Sequence, residues 1–149
     1  MEHLFDEILE KDEKIIKILK PNKRRYIKDL LFPFIIPLTW PALLILLVGS
    51  LFTLPFIINK GYKNLYYAYT NKRLIVRKGA FGNSYDSLDY KNITSVSVQV
   101  GFLDRNTNTG SLRFVSPSSH HEHPMIFANI ENPYQEMNKI KEEINKTNG

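Results

Sequence analysis

From Leu30 to Ile58 the chain runs 29 residues without a charged side chain, and nineteen of them are Leu, Ile, Phe or Val. On an insertion scale of about −0.3 to −0.6 kcal/mol per such residue, the run favours a bilayer by roughly 6–11 kcal/mol. Only Thr39, Ser50 and Thr53 oppose this with side-chain polarity, and a helical hydroxyl can bond back to its own backbone. So long an apolar run exceeds what a buried helix of a soluble domain needs. The expectation is an integral membrane protein. The highly charged residues 1–29 carry no short apolar region with a small-residue cleavage site, so a removable signal peptide is not expected.

A straight helix of that length would measure about 43 Å, against a hydrocarbon core of about 30 Å. Pro33, Pro37, Pro41 and Pro55 interrupt it. Two topologies follow: a single helix from about Pro41, or a tight hairpin turned near Thr39, Trp40 and Pro41. Charge favours the hairpin. Residues 14–28 hold seven bases and no acid, residues 60–78 hold six bases and no acid, and such flanks stay cytoplasmic. Residues 1–13, by contrast, hold six acids against Lys11. The net charge of +5 is therefore concentrated beside the apolar run, which argues against nucleic acid as the partner. The chain has no cysteine, which excludes disulfides and thiolate chemistry.

Leu4, Phe5, Ile8, Leu9, Ile15, Ile16 and Leu19 follow a helical spacing, so an amphipathic helix is expected before Pro21-Asn22. After the apolar run the period becomes two. Strands are expected over residues 64–69 and 73–77, joined at Thr70-Asn71-Lys72, then over 84–89, 94–100, 111–115 and 125–130. Asn132-Pro133 opens a helix whose apolar stripe is Met137, Ile140 and Ile144. Short antiparallel strands closed by one helix make a small barrel or sandwich.

The stretch Tyr69-Thr70-Asn71-Lys72-Arg73-Leu74-Ile75-Val76-Arg77-Lys78-Gly79 resembles the hallmark of the bacterial pleckstrin-homology-like (PH-like) domain family of small membrane proteins. Leu88-Asp89-Tyr90, Ile93-Thr94-Ser95-Val96, Phe102-Leu103-Asp104-Arg105, Gly110-Ser111-Leu112 and Phe127 to Pro133 follow in the family's order. So do Asp12 to Ile16 and Lys20-Pro21 ahead of the apolar run. The resemblance implies a seven-stranded bent barrel plugged by a carboxy-terminal helix, on the cytoplasmic face, and no reaction. The fold expected is thus an α+β membrane protein: an amphipathic helix over 1–29, a transmembrane helix or helical hairpin over 30–60, and a PH-like barrel with its capping helix over 61–149.

The function expected is a non-enzymatic, membrane-anchored binding or scaffold protein, with the bilayer, another protein or a second copy as partner and no cofactor. One alternative is an anionic-lipid sensor using Lys23, Arg24, Arg25, Lys28, Lys60, Lys63, Lys72, Arg73, Arg77 and Lys78, since a base near an anionic leaflet contributes about 1 kcal/mol. Another is a metal-binding or hydrolytic protein using His120, His121 and His123, with Ser116, Ser118 and Ser119 nearby. Adjacent ligands suit a tetrahedral site poorly, and no nucleophile elbow surrounds these serines.

Overall fold

The computed structural model describes residues 4–31, 56, 58–79, 82–117 and 124–148. Its strands form two antiparallel sheets. The first is β1 (Ile15–Leu19), β2 (Tyr66–Thr70), β3 (Arg73–Lys78) and β4 (Ser84–Asp89), in that spatial order. The second is β5 (Ser95–Gln99), β6 (Thr109–Val115) and β7 (Met125–Glu131). Helix α1 covers Lys23–Leu31, residues 58–64 are helical (α2), and α3 covers Pro133–Asn148. Tyr90–Asn92 and Phe102–Thr107 form 3-10 turns.

The core lies between the sheets and is closed by α3. Period two puts Tyr67, Tyr69, Leu74 and Val76 on the inner face of the first sheet, opposite Leu112, Phe114, Phe127 and Ile130 of the second. Tyr67 stacks on Phe127 with centroids 4.7 Å apart, and Phe114 meets Phe127 edge-on at 5.1 Å. Ile140 and Ile144 complete the core from α3, as their stripe predicts. Burying each such side chain contributes about 1.5–3 kcal/mol.

Three asparagines shape the second sheet and its exits. Asn129 (φ 59°) sits where β7 carries one residue more than β6, a bulge that a left-handed residue accommodates. Asn108 (φ 48°) and Asn132 (φ 49°) take the same conformation, favoured for asparagine among non-glycine residues. The Asn132 side chain accepts from Asn108 Nδ2 (2.5 Å) instead of capping α3. Gly79 follows β3 at φ 145°, and a Cβ there would lie 1.9 Å from the Gly82 carbonyl oxygen. Gly79→Ala is therefore expected to cost at least about 1–3 kcal/mol. Denaturant unfolding reads this directly, and an unchanged midpoint contradicts it.

Four expectations are corrected. First, the strands do not close into a barrel: β4 and β5 belong to separate sheets. Tyr90 turns the chain between them, donating its hydroxyl to Thr70 O (2.6 Å) and its N–H to Lys72 O (3.2 Å). Second, the described residues 4–19 do not form an amphipathic helix. Ile15–Leu19 is strand β1, paired antiparallel to β2. The free edge of β2 takes up its backbone, and β-branched Ile15, Ile16 and Ile18 suit a pleated strand. Third, among the described residues no helix is long and apolar enough to cross a membrane. Residues 32–55 and 57 of the apolar run, with Trp40, lie outside the described residues. Of the described flanks, α1 has nine residues, about 13 Å, and is held to the domain through Arg25 and Asp104, with Leu30 and Leu31 exposed. Fourth, the integral placement in the cell membrane is overturned on the same ground, no helix among the described residues being long and apolar enough to span, and the fold is an α+β PH-like fold of two sheets.

Candidate functional site

The hallmark residues turn out to organise the fold. Thr70 Oγ1 accepts from the backbone N–H of Lys72 (3.1 Å) and Arg73 (3.0 Å), setting the β2–β3 turn. It donates to Glu13 Oε1 (2.8 Å), whose side chain is fully buried. Arg73 grips the same carboxylate with Nε on Oε1 (3.0 Å) and Nη2 on Oε2 (2.9 Å), a bidentate fork. Asn71 ties the start of β1, with its N–H on Lys14 O (3.1 Å) and its Oδ1 on Lys14 N–H (2.9 Å). Burial alone would raise the Glu13 pKa, but the Arg73, Glu10 N–H and Thr70 hydrogen bonds hold it below the usual glutamate range.

A second buried pair anchors α1. Asn22 caps this helix, its Oδ1 accepting from Arg25 N–H (3.1 Å). The Asn22 N–H donates to Asn129 O at the β7 bulge (2.7 Å), and its side chain to Glu131 (2.7 Å). Arg25 Nε reaches Asp104 Oδ1 (2.6 Å), and its Nη1 pairs with Asp29. Asp104 also accepts from Gly101 N–H (2.7 Å) and the Thr109 hydroxyl (3.0 Å). Burial would raise its pKa, yet the Arg25, Gly101 and Thr109 hydrogen bonds keep it below the usual aspartate range. A third pair joins β1 to α3: Lys17 Nζ lies 2.7 Å from Glu136 Oε1, with Lys139 Nζ at 3.0 Å from the same oxygen.

The ten basic candidates therefore separate into three groups. Arg25 and Arg73 are held in buried or half-buried ion pairs. At the first sheet, Lys72 meets Glu10 (3.4 Å), Lys78 meets Asp86 (2.6 Å), and Arg77 bonds Asn83 Oδ1 (3.0 Å) beside the Tyr85 ring. The others gather on α1 and α2. Lys23, Arg24, Lys28 and Lys63 are exposed there, and Lys60 lies 5.3 Å from the Phe56 ring.

Tyrosines organise this last group. The Tyr26 and Tyr62 rings pack at 5.5 Å, joining α1 to α2, and the Tyr62 hydroxyl donates to Pro21 O (3.0 Å). Lys20 Nζ lies 4.8 Å from the centroid of Tyr62 and 4.3 Å from that of Tyr66, donating to the Tyr66 hydroxyl (3.0 Å). Lys23 Nζ lies 6.0 Å from the Tyr62 centroid. Two ammonium groups thus lie over one ring. Among the described residues neither meets a carboxylate. Over residues 20–31 and 58–66 the chain holds seven bases and one acid, Asp29, which is turned to Arg25. Lys20 was missed by sequence reasoning; its spacing before Pro21-Asn22 gives no hint that Tyr62 and Tyr66 come over it.

The remaining candidates contribute no geometry. His120, His121 and His123, with Ser118 and Ser119, lie outside the described residues. Among the described residues no group of His, Asp or Glu is arranged to hold a metal ion. Burial pushes the Tyr67 and Tyr69 phenols up to about 12, so both stay neutral packing groups.

The bacterial PH domain family model matches residues 27–144 of the chain. No curated protein sequence matches it. Among solved structures, the chain is similar to a DUF1696 family protein with a pleckstrin-homology domain from Shewanella loihica PV-4. That similarity has a TM-score of 0.52 at 14% identity, covering 95% of this chain and 91% of the other. A pleckstrin homology domain from Shewanella amazonensis SB2B gives 0.49 at 16% identity, covering 94% and 91%. At such identities the likeness of the first concerns the fold alone.

Proposed function

The chain belongs to the bacterial PH domain family, and from that premise we propose that it is a non-catalytic binding module whose α1–α2 face takes an anionic ligand. The observation that carries this is the pair of ammonium groups, Lys20 and Lys23, over the Tyr62 ring without a carboxylate among the described residues. Two ammonium groups over one ring, with no carboxylate beside either among the described residues, are positive charge that a bound anion offsets. Lys63, Arg24 and Lys28 widen the face, so the matching ligand is a surface bearing several phosphates, such as anionic lipid headgroups. The buried acid–base pairs on the rest of the molecule serve the scaffold and leave this face as the free cationic surface among the described residues.

Binding of the full chain to vesicles, with and without anionic lipid, tests the reading. Lys23→Gln, Arg24→Gln and Lys63→Gln together are expected to weaken binding to anionic vesicles about 100-fold at low salt, at about 1 kcal/mol per base. All three side chains are exposed, so the unfolding midpoint should hold. Equal binding by the variant, or binding indifferent to salt and to anionic lipid, contradicts the reading.

A further inference from the structure

The outer face of the first sheet is covered by the chain's own amino-terminal segment. Ala68 and Ile75 face each other across β2 and β3 and point away from the core. Phe5 is buried with them at 0% exposure, and Leu4, Ile8 and Leu9 pack around it. The ring has room because Ala68 is small. Tyr85 closes one side, edge-on at 6.4 Å. The segment adds no strand to the sheet. Side chains take up its backbone instead: the Tyr85 hydroxyl donates to Leu4 O (3.2 Å) and Arg73 Nη2 to Ile8 O (2.6 Å). It joins the rest of the chain through Asp12, whose φ of 66° marks a left-handed hinge.

The charges are complementary. Of the five acids in residues 6–13, Glu10 and Glu13 meet Lys72 and Arg73 on this face. Lys72 and Arg73 reach Glu10 at 3.4 and 3.8 Å, and Lys72 Nζ also donates to Lys11 O (3.1 Å). At the Tyr85 end, Arg77 Nε is buried with no hydrogen-bond partner among the described residues. A groove for a ring, a basic rim and an unused donor together describe a site for a peptide, filled here from within the same chain.

We propose that this groove is a peptide-binding site, held in cis by residues 4–9. Its ligand in trans is an acidic segment of a partner protein, carrying an aromatic residue followed at three and four positions by aliphatic ones. Phe5, Ile8 and Leu9 are that pattern. Because the tethered segment acts at an effective concentration in the millimolar range, a partner must bind more tightly than that to displace it.

The probe is a synthetic peptide of residues 1–13 added to the full chain and to its Phe5→Ser variant. The variant should bind the peptide about tenfold or more tightly than the wild-type chain, since its groove is unoccupied. A peptide carrying the same substitution should not bind. A folded variant that fails to bind the wild-type peptide, or a wild-type chain that binds it equally well, overturns the proposal. A dimer whose formation depends on Phe5 assigns the groove to a second copy and overturns the partner assignment. Hydrogen exchange of the wild-type chain keeps the test open if the variant does not fold. The Ile8 amide, bonded to Phe5 O (3.0 Å), should exchange through local opening, faster than β2 and β3. Exchange as slow as those strands overturns the proposal.

Discussion

Arg73→Ala should lower unfolding free energy by about 3–5 kcal/mol, because it strands a buried carboxylate. Glu13 has no exposed side-chain surface and would keep only the Thr70 hydroxyl and the Glu10 N–H (2.9 Å). Ile8 O would lose its donor as well. Single domains of this size have about 5–15 kcal/mol in total, so a fifth or more of the stability rests on this residue. Arg73→Lys should recover only part of the loss, since a single ammonium cannot replace the two-pronged grip. Pairing Arg73→Met with Glu13→Leu should restore most of it, because an apolar pair removes the orphaned charge. Denaturant unfolding of the three variants decides the matter. A loss under about 1 kcal/mol in Arg73→Ala would show that Glu13 relaxes to solvent and that the pair is not a structural hub.

Acid should unfold the protein early, and the second large effect, Asp104→Asn, should remove part of that sensitivity. Glu13, Asp104 and Glu136 all have folded-state pKa values below their ordinary ones. For each, burial opposes the shift and the paired arginine or lysine drives it. A depressed carboxylate contributes stability that is present above its unfolded pKa, about 4, and lost as pH falls through the folded value. Unfolding free energy should therefore be steady near neutrality and decline as pH drops below about 4.5. Asp104→Asn should cost about 3–5 kcal/mol at pH 7 by leaving Arg25, 8% exposed, with only the exposed Asp29. Its decline in acid should be shallower than that of the native chain. Parallel pH profiles for the two proteins would contradict the assignment.

The elements that were legible are those whose signals are local. Thr70-Asn71-Lys72 announces the turn between β2 and β3 because its side chains bond their own neighbourhood. The β5 valines alternate, and Met137, Ile140 and Ile144 recur at helical spacing, so both elements lie where period places them. Strand β1 was hidden because Ile15–Leu19 also fits a helical stripe begun by Leu4 and Phe5. Only pairing with β2, on the far side of the apolar run, selects the extended form. The same distance conceals the ion pairs. Arg25 stands in a run of bases and reads as one more surface cation, yet its partner Asp104 is 79 residues away. Glu13 and Arg73 are 60 apart. The family resemblance pointed to the right domain, while the apolar run, read alone, hid that Tyr26 of α1 packs on Tyr62 of α2 and that Arg25 pairs with Asp104, with Leu30 and Leu31 left exposed.

The basic face was half legible. Composition located its charges beside the apolar run, but nothing in the chain's order shows that Lys20 and Lys23 both lie over Tyr62. The direct measurement is titration of the full chain with a soluble short-chain anionic phospholipid, following ring and backbone resonances. The account predicts the largest shifts at Tyr62, Tyr26 and Lys23, reversed by salt and absent with a zwitterionic analogue. Shifts centred on β5 and β6, or none at all, would contradict it.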